Sequence, residues 1–432
     1  MTMRTIDLAA SDPAAVAGLL RRSPVPDEAV RRQAAAIVED VRRGGDAALR
    51  AAADLYGGGL AGGELRIPSR LVKQAARAAS PATVAALVDA ADAIRAVHHP
   101  QRPVDHTVEP KPGVEVTRAW SPLRRVGVYV PGGLAAYASS LLMSVIPAQI
   151  AGVGEIVIAT PAGPGGELSD ALLAAAEMLA LDEMYAVGGA QAIAALAYGT
   201  GTIPPVDKIV GPGNAWVTAA KLAVFGDVGI DLPAGPSEAM ELADATADPR
   251  IVAADLISQA EHGPDSVAVL VTPDAGFAAD VLAQVDALLP RLERADLIRS
   301  ALAAQGLVVV AATVDDAVTF ADAFAPEHLS VQTADPEAHA ARITNAGSVF
   351  LGHWSPHSAG DYATGANHVL PTGGLARAYG PLSVEDYGSW RQVQRLTEAG
   401  LAAIRPTVAA IAAAEGLTAH RLSVDLRFEE EP

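Results

Sequence analysis

The chain has 432 residues, half of them hydrophobic and only 4% aromatic, with a formal net charge of −19. That length allows about two to four domains around a core of small residues, and the acidic balance excludes a broad phosphate-binding face for nucleic acid. There are no cysteines, so disulfides, thiolate metal sites and aldehyde oxidation through a cysteine thiohemiacetal are excluded.

Residues 1–25 read as a short helical arm, with no apolar core of the signal-peptide kind. Asp27–Arg43 reads as a helix, because Val30, Ala34, Ile37, Val38 and Val41 recur on one face. Gly44-Gly45 ends it, and more helices follow to about Val97. His98–Thr117 has no clear period and reads as a long connection or an extended strand pair.

From Val126 the pattern changes. Apolar strands at Val126–Val130, Ile156–Thr160, Met184–Val187, Ile209-Val210 and Ile230–Leu232 alternate with helices. The most membrane-like stretch, Ser139–Gly163, is broken by Pro147, Gly152, Gly154, Glu155 and Pro161. It reads as helix, turn and strand, and a cytoplasmic protein is expected. A second run places strands at Val267–Thr272, Leu307–Ala312, Leu329–Gln332 and Val349–Leu351. Such alternation marks parallel sheets covered by helices, here two successive α/β units. Pro131-Gly132-Gly133 and Gly211-Pro212-Gly213-Asn214 follow strand ends, where open α/β sheets bind ligands. The dinucleotide fingerprint G-x-G-x-x-G is absent; Gly152-Val153-Gly154 lacks the third glycine. After about Pro381 the chain reads as mainly helical.

Candidate chemistry gathers in the second half, since seven of the ten histidines lie from His262 onward. Ile251–Pro264 reads as one helix, capped by Asp248 and stopped by Gly263-Pro264. Gln259 and His262 are three apart, so they share a face in its last turn. That suits half a metal site, or equally a solvated helix end. Glu327-His328 precedes a strand and suits general acid/base work, or is an exposed loop pair. Asp361, in His357–Tyr362, can complete a metal site or belong to a turn. His339, His353 and His357 read as surface residues. Glu415 and His420 flank a turn between two helices and become ligands only if the tail folds over the site. Gln259, His262, Asp361 and His420 together form an all N/O set.

Several longer runs resemble histidinol dehydrogenases. They are VGVYVPGG (Val126–Gly133), VGGAQAIAALAYGT (Val187–Thr200), DKIVGPGN (Asp207–Asn214) and IDLPAGPSE (Ile230–Glu238). SQAEHGPDS, APEHL (Ala325–Leu329), SAGDYATGANHVLPT (Ser358–Thr372) and LTAHRLSVDLR (Leu417–Arg427) follow in order.

The resemblance implies a homodimeric, zinc-dependent enzyme that oxidises L-histidinol to L-histidine through the aldehyde with two NAD+. Carried over by position, Gln259, His262, Asp361 and His420 would hold one zinc per subunit. Glu327 and His328 would be the acid/base pair. Ser237, His368 and Glu415 would contact substrate, together with His328 and the four zinc ligands. Tyr129, Gln191 and Asn214 would contact NAD+. His357 departs from the acidic residue expected there. The implied fold is α/β, with two open parallel-sheet, incomplete Rossmann-like domains, a helical N-terminal arm and a small C-terminal helical domain. Its parts would be 1–25; 26–128 with 237–381, carrying the metal and acid/base site; 129–236, on the NAD side; and 382–432. Neither nucleic acid nor membrane is an expected partner, and the site would be shared between subunits. A relative acting on another small alcohol, such as a sulfonated diol, is the nearest alternative; Glu415 suits an amine better than a sulfonate. A non-catalytic metal- or nucleotide-binding protein is the other, and it predicts loss of Glu327 or His328.

Overall fold

The computed structural model describes residues 3–132 and 137–429, so Gly133 of the first glycine turn lies outside the described residues. The chain begins with β1 (Arg4–Asp7) and the helix Pro13–Leu20. Helices Glu28–Tyr56, Ser69–Ala78 and Pro81–His98 follow, then β2 (His106–Lys111) and β3 (Val114–Pro122). Next come β4 (Arg125–Tyr129), β5 (Glu155–Thr160), β6 (Met184–Ala186), β7 (Lys208–Val210) and β8 (Gly229–Ile230). A second run holds β9 (Glu238–Ala243), β10 (Val267–Thr272), β11 (Leu307–Val310), β12 (His328–Gln332) and β13 (Ser348–Leu351). β14 (Gly388–Leu396) precedes the helices Glu398–Ala414 and Thr418–Asp425.

The chain divides into two compact units, Met1–Gln101 with Leu123–Tyr387, and Arg102–Pro122 with Gly388–Pro432. This draws a boundary that the four-part sequence division lacks. Residues 102–122 join the C-terminal piece because β3 pairs antiparallel with both β14 and β2. The strand-pair reading of His98–Thr117 is therefore met by β2 and β3. Thr397 caps the helix Glu398–Ala414 by accepting from Gly400 N.

The first unit contains two parallel sheets. One has the order β6-β5-β4-β7-β8, the other β1-β11-β10-β9-β12-β13. In each, the chain runs outward to one side and then returns to fill the other. The order reverses between β4 and β7 in the first sheet and between β9 and β12 in the second. The five-stranded sheet is Val- and Ile-rich and the six-stranded sheet Val- and Leu-rich, as strands buried on two faces require.

Helix Glu28–Tyr56 packs Ala34, Val38, Val41 and Leu49 into the core built by Ile193, Leu196, Val217 and Val224 beside the five-stranded sheet. Ile193 is fully buried there, and we expect Ile193→Ala to cost about 2–5 kcal/mol. A urea unfolding midpoint moved by less than its error would contradict this packing. The six-stranded sheet is flanked by the helix Pro249–Ala260, whose Val252, Ala253 and Leu256 are completely buried. Among the described residues, no helix is long and apolar enough to cross a membrane.

Three elements differ from the sequence reading. The arm is not wholly helical, because β1 pairs in parallel with β11, setting Ile6 beside Val309. β9 carries Glu238 and Glu241 yet pairs on both sides, with β10 and β12. β14 is a nine-residue strand in the piece expected to be mainly helical, and it is held by a full antiparallel register on β3.

Candidate active site

The parallel pairing of β9 and β12 sets His328 beside Ala239. Glu327 therefore stands beside Glu238, at the amino edge of the sheet where its order reverses. Glu327 Oε2 accepts from Ser237 Oγ at 2.9 Å and from the Glu238 N–H at 2.7 Å. Ser237 Oγ in turn accepts from Gln259 Nε2 at 3.1 Å. That leaves Gln259 Oε1 buried with no hydrogen-bond partner.

Burial is the main force on Glu327 and pushes its carboxyl up to about 8, with the charge of Glu238 adding to it. The hydrogen bonds from Glu238 N and Ser237 and the charge of His262 pull the other way. His328 is displaced in the opposite sense, its pKa lowered chiefly by burial. His328 Nδ1 lies 3.0 Å from the Glu238 carbonyl. A carbonyl only accepts, so Nδ1 carries the hydrogen and Nε2 keeps its lone pair. That Nε2 lies 3.7 Å from Asp361 Oδ1.

Asp361 lies in a short helix, His357–Tyr362, rather than in a turn. Its backbone carbonyl faces His368 Nδ1 at 3.0 Å, and His368 Nε2 reaches Ser140 Oγ at 3.2 Å. Ser140 belongs to the helix Ala138–Ala151, which follows β4. His368 therefore ties the surroundings of Asp361 to the half of the unit built on the five-stranded sheet.

Two placements correct the sequence reading. The helix ends at Ala260 with Glu261 as its cap, so His262 falls just outside the last turn. It still folds back on its partner's backbone, with Nδ1 3.2 Å from the Gln259 carbonyl, which leaves Nε2 free. His357 is not a surface residue but almost fully buried. Its Nε2 contacts Ser258 Oγ at 2.9 Å, and its ring centre lies 5.7 Å from that of His328. Burial, followed by the charge of His328, pushes its pKa down to about 4.

Sequence reasoning missed the polar layer behind this pair. Glu241 and Asp255 share Gln332 Nε2 as donor, at 3.3 and 3.1 Å. Burial and the charge of Asp255 raise the Glu241 pKa well above the carboxylate range. Arg22, at the end of the arm, pairs with Glu238. A buried glutamate inside a Met/Ala/Leu stretch gave no sign of these roles.

The other expected residues line a second edge. Tyr129 ends β4, Gln191 lies in the first turn of the helix Gly189–Tyr198 after β6, and Asn214 caps the helix Ala215–Val224 after β7. All three sit at the carboxyl ends of the five-stranded sheet, beside its reversal point, where ligands enter open α/β sheets. Tyr129 OH accepts from the Gly189 N–H at 3.2 Å. Gly188 starts its helix without a side-chain cap, leaving backbone donors for a ligand anion.

Glu415 and His420 belong to the second unit, where both are exposed. Among the described residues, no group of three or more His, Asp or Glu side chains is gathered to hold a metal ion.

Two open parallel sheets, with a buried carboxylate–imidazole pair at one reversal point and glycine turns after the strands of the other, define an α/β enzyme. A family model for histidinol dehydrogenase matches residues 20–428. A histidinol dehydrogenase of Halobacterium salinarum is 50% identical over 406 residues, covering 94% of each chain. One of Methanothermobacter thermautotrophicus is 45% identical over 415 residues, covering 96% of this chain and 97% of that one. The crystal structure of histidinol dehydrogenase from Elizabethkingia anophelis superposes with a TM-score of 0.92 at 37% identity, over 98% of each chain. The chain belongs to the histidinol dehydrogenase family and is an oxidoreductase.

Proposed function

We propose that the chain oxidises L-histidinol to L-histidine through L-histidinal, the closing steps of histidine biosynthesis, with two NAD+ and one zinc per subunit. The observation that carries this reading is the adjacent Glu327 and His328, whose environments displace their pKa values in opposite directions. One is thereby an acid that becomes a base in mildly alkaline solution, the other a neutral imidazole ready to take a proton.

The residues fit both absent groups. For zinc, Gln259 offers an unpartnered buried oxygen, and His262 a free Nε2 whose ring is oriented from behind by a carbonyl. Asp361 supplies a carboxylate, and the donor set needs no thiolate. We assign His420 as the fourth ligand and Glu415 as a substrate contact, with the site shared between the subunits of a cytoplasmic homodimer. For NAD+, the helix start at Gly188, which has no side-chain cap, and the turn that follows Gly211 would face the pyrophosphate. When bound, zinc would anchor the imidazole and amine of histidinol, and NAD+ would accept hydride.

The protein's own groups then divide the work. His328 Nε2 takes the hydroxyl proton as the alcohol is oxidised. Glu327 takes a proton from the water that adds to the aldehyde carbon. His328 releases the alcohol's proton to solvent between the two steps, and its Nε2 then takes the hydroxyl proton of the resulting hydrate in the second oxidation. Ser237 holds Glu327 in place, and His368 lines the substrate side.

The test is the NADH formed per L-histidinol consumed by zinc-loaded protein. Two are expected. One would mean that the aldehyde escapes and would refute the water-activating role of Glu327. None, with turnover of another small alcohol, would refute the substrate assignment.

A further inference from the structure

We propose that a buried ion pair, Lys221 and Asp231, is the positioning device of the dinucleotide crevice. This rests on the NAD+ reading given above. Lys221 sits in the helix Ala215–Val224, and Asp231 follows β8. Both side chains are almost completely buried, with Lys221 Nζ 2.6 Å from Asp231 Oδ1.

The pair meets on one residue. Lys221 Nζ donates to the Gly211 carbonyl at 2.5 Å, and the Gly211 N–H donates to Asp231 Oδ2 at 2.7 Å. Both backbone polar groups of Gly211 are therefore held from inside the protein. Gly211 has φ 111°, and a Cβ there would lie 2.1 Å from the Tyr129 carbonyl oxygen. The turn is thus pressed against the end of β4 at the sheet's reversal point. Its last residue, Asn214, caps the next helix through Oδ1, at 3.1 and 3.2 Å from the N–H groups of Trp216 and Val217.

A buried ion pair is a poor way to add stability, since apolar residues of similar volume often serve as well or better. What this one supplies is position. A turn held on its inner side needs no hydrogen bond from its outer side, which stays free for a ligand. The crevice then meets NAD+ already shaped, without an ordering cost at binding. Lys221 and Asp231 touch neither cofactor nor substrate; they act through Gly211.

The test uses the full-length protein with NADH fluorescence as readout, independent of turnover. In the double variant Lys221→Met/Asp231→Asn both charges leave together at nearly constant volume. We expect it to stay folded by circular dichroism and to bind NADH roughly tenfold or more weakly, with the KM for NAD+ raised and that for histidinol unchanged. Binding within about twofold of the unsubstituted protein would overturn the proposal. A parallel rise in both KM values would also overturn it, as the mark of a merely structural role.

Amide hydrogen exchange on the unsubstituted protein gives a second check that needs no variant. The Gly211 amide, held by Asp231 Oδ2, should be protected before NAD+ is added. Protection appearing only with NAD+ would overturn the proposal. Failure of the unsubstituted protein to bind NADH at all would instead remove the NAD+ reading, and the proposal with it.

Discussion

Glu327→Gln is expected to slow the oxidation of L-histidinal by about 10²–10⁴-fold while slowing the oxidation of L-histidinol much less. The amide keeps the size of the side chain and can still accept from Ser237 and the Glu238 N–H, so the pocket is preserved. It cannot take a proton from water. Single-turnover NADH formation from each substrate separates the two steps, and equal slowing of both would defeat the assigned role. The pH dependence carries the same signature. Burial holds the Glu327 proton up to about pH 8, so below that pH the base is blocked. The aldehyde step should therefore rise as pH increases through about 8, and the Gln variant should lack that rise.

The second large effect is expected from His262→Ala, which should lose zinc and activity together. Nδ1 of His262 is occupied by the Gln259 carbonyl, so Nε2 is the nitrogen available to the metal. Without it, Gln259 and Asp361 remain as oxygen donors from this unit, a set better suited to harder cations. Metal analysis after dialysis, read beside turnover, checks the result. A zinc-free variant with normal turnover would remove the metal assignment.

Much of this architecture was legible in the sequence, for identifiable reasons. Apart from β9, the strands of both α/β runs are short segments rich in Val with Ile or Leu, and they lie where the pattern placed them to within a residue or two. β9 was hidden because its residues, EAMELA, favour a helix when read alone. It is a strand because β10 and β12 pair with it on both sides. Glu327 and His328 were visible as adjacent residues before a strand, but their burial was not. That burial depends on Ser237 and Glu238, far away in the chain. His357 read as a surface histidine because nothing local announces Ser258 and Glu241 as its neighbours. The G-x-G-x-x-G run is missing, but a glycine still stands at the reversal point, where Gly211 packs against the end of β4.

The way the two sheets are strung along the chain sets an order for their assembly. All five strands of the five-stranded sheet lie between Arg125 and Ile230, and the helix Glu28–Tyr56 that packs beside them comes earlier in the chain. That sheet can close while the rest of the polypeptide is still being synthesised. The six-stranded sheet cannot, for its first-made strand, β1, lies against β11, with Arg4 beside Leu307. The entropy of closing so long a loop grows only logarithmically with its length, so the final stability suffers little. The timing is what changes. The beginning of the chain must wait, unpaired, until its last third has been made. Arg22 waits with it, reaching Glu238 beside the acid/base pair only when that strand docks. The site is thus finished by a segment made long before the strand on which it docks.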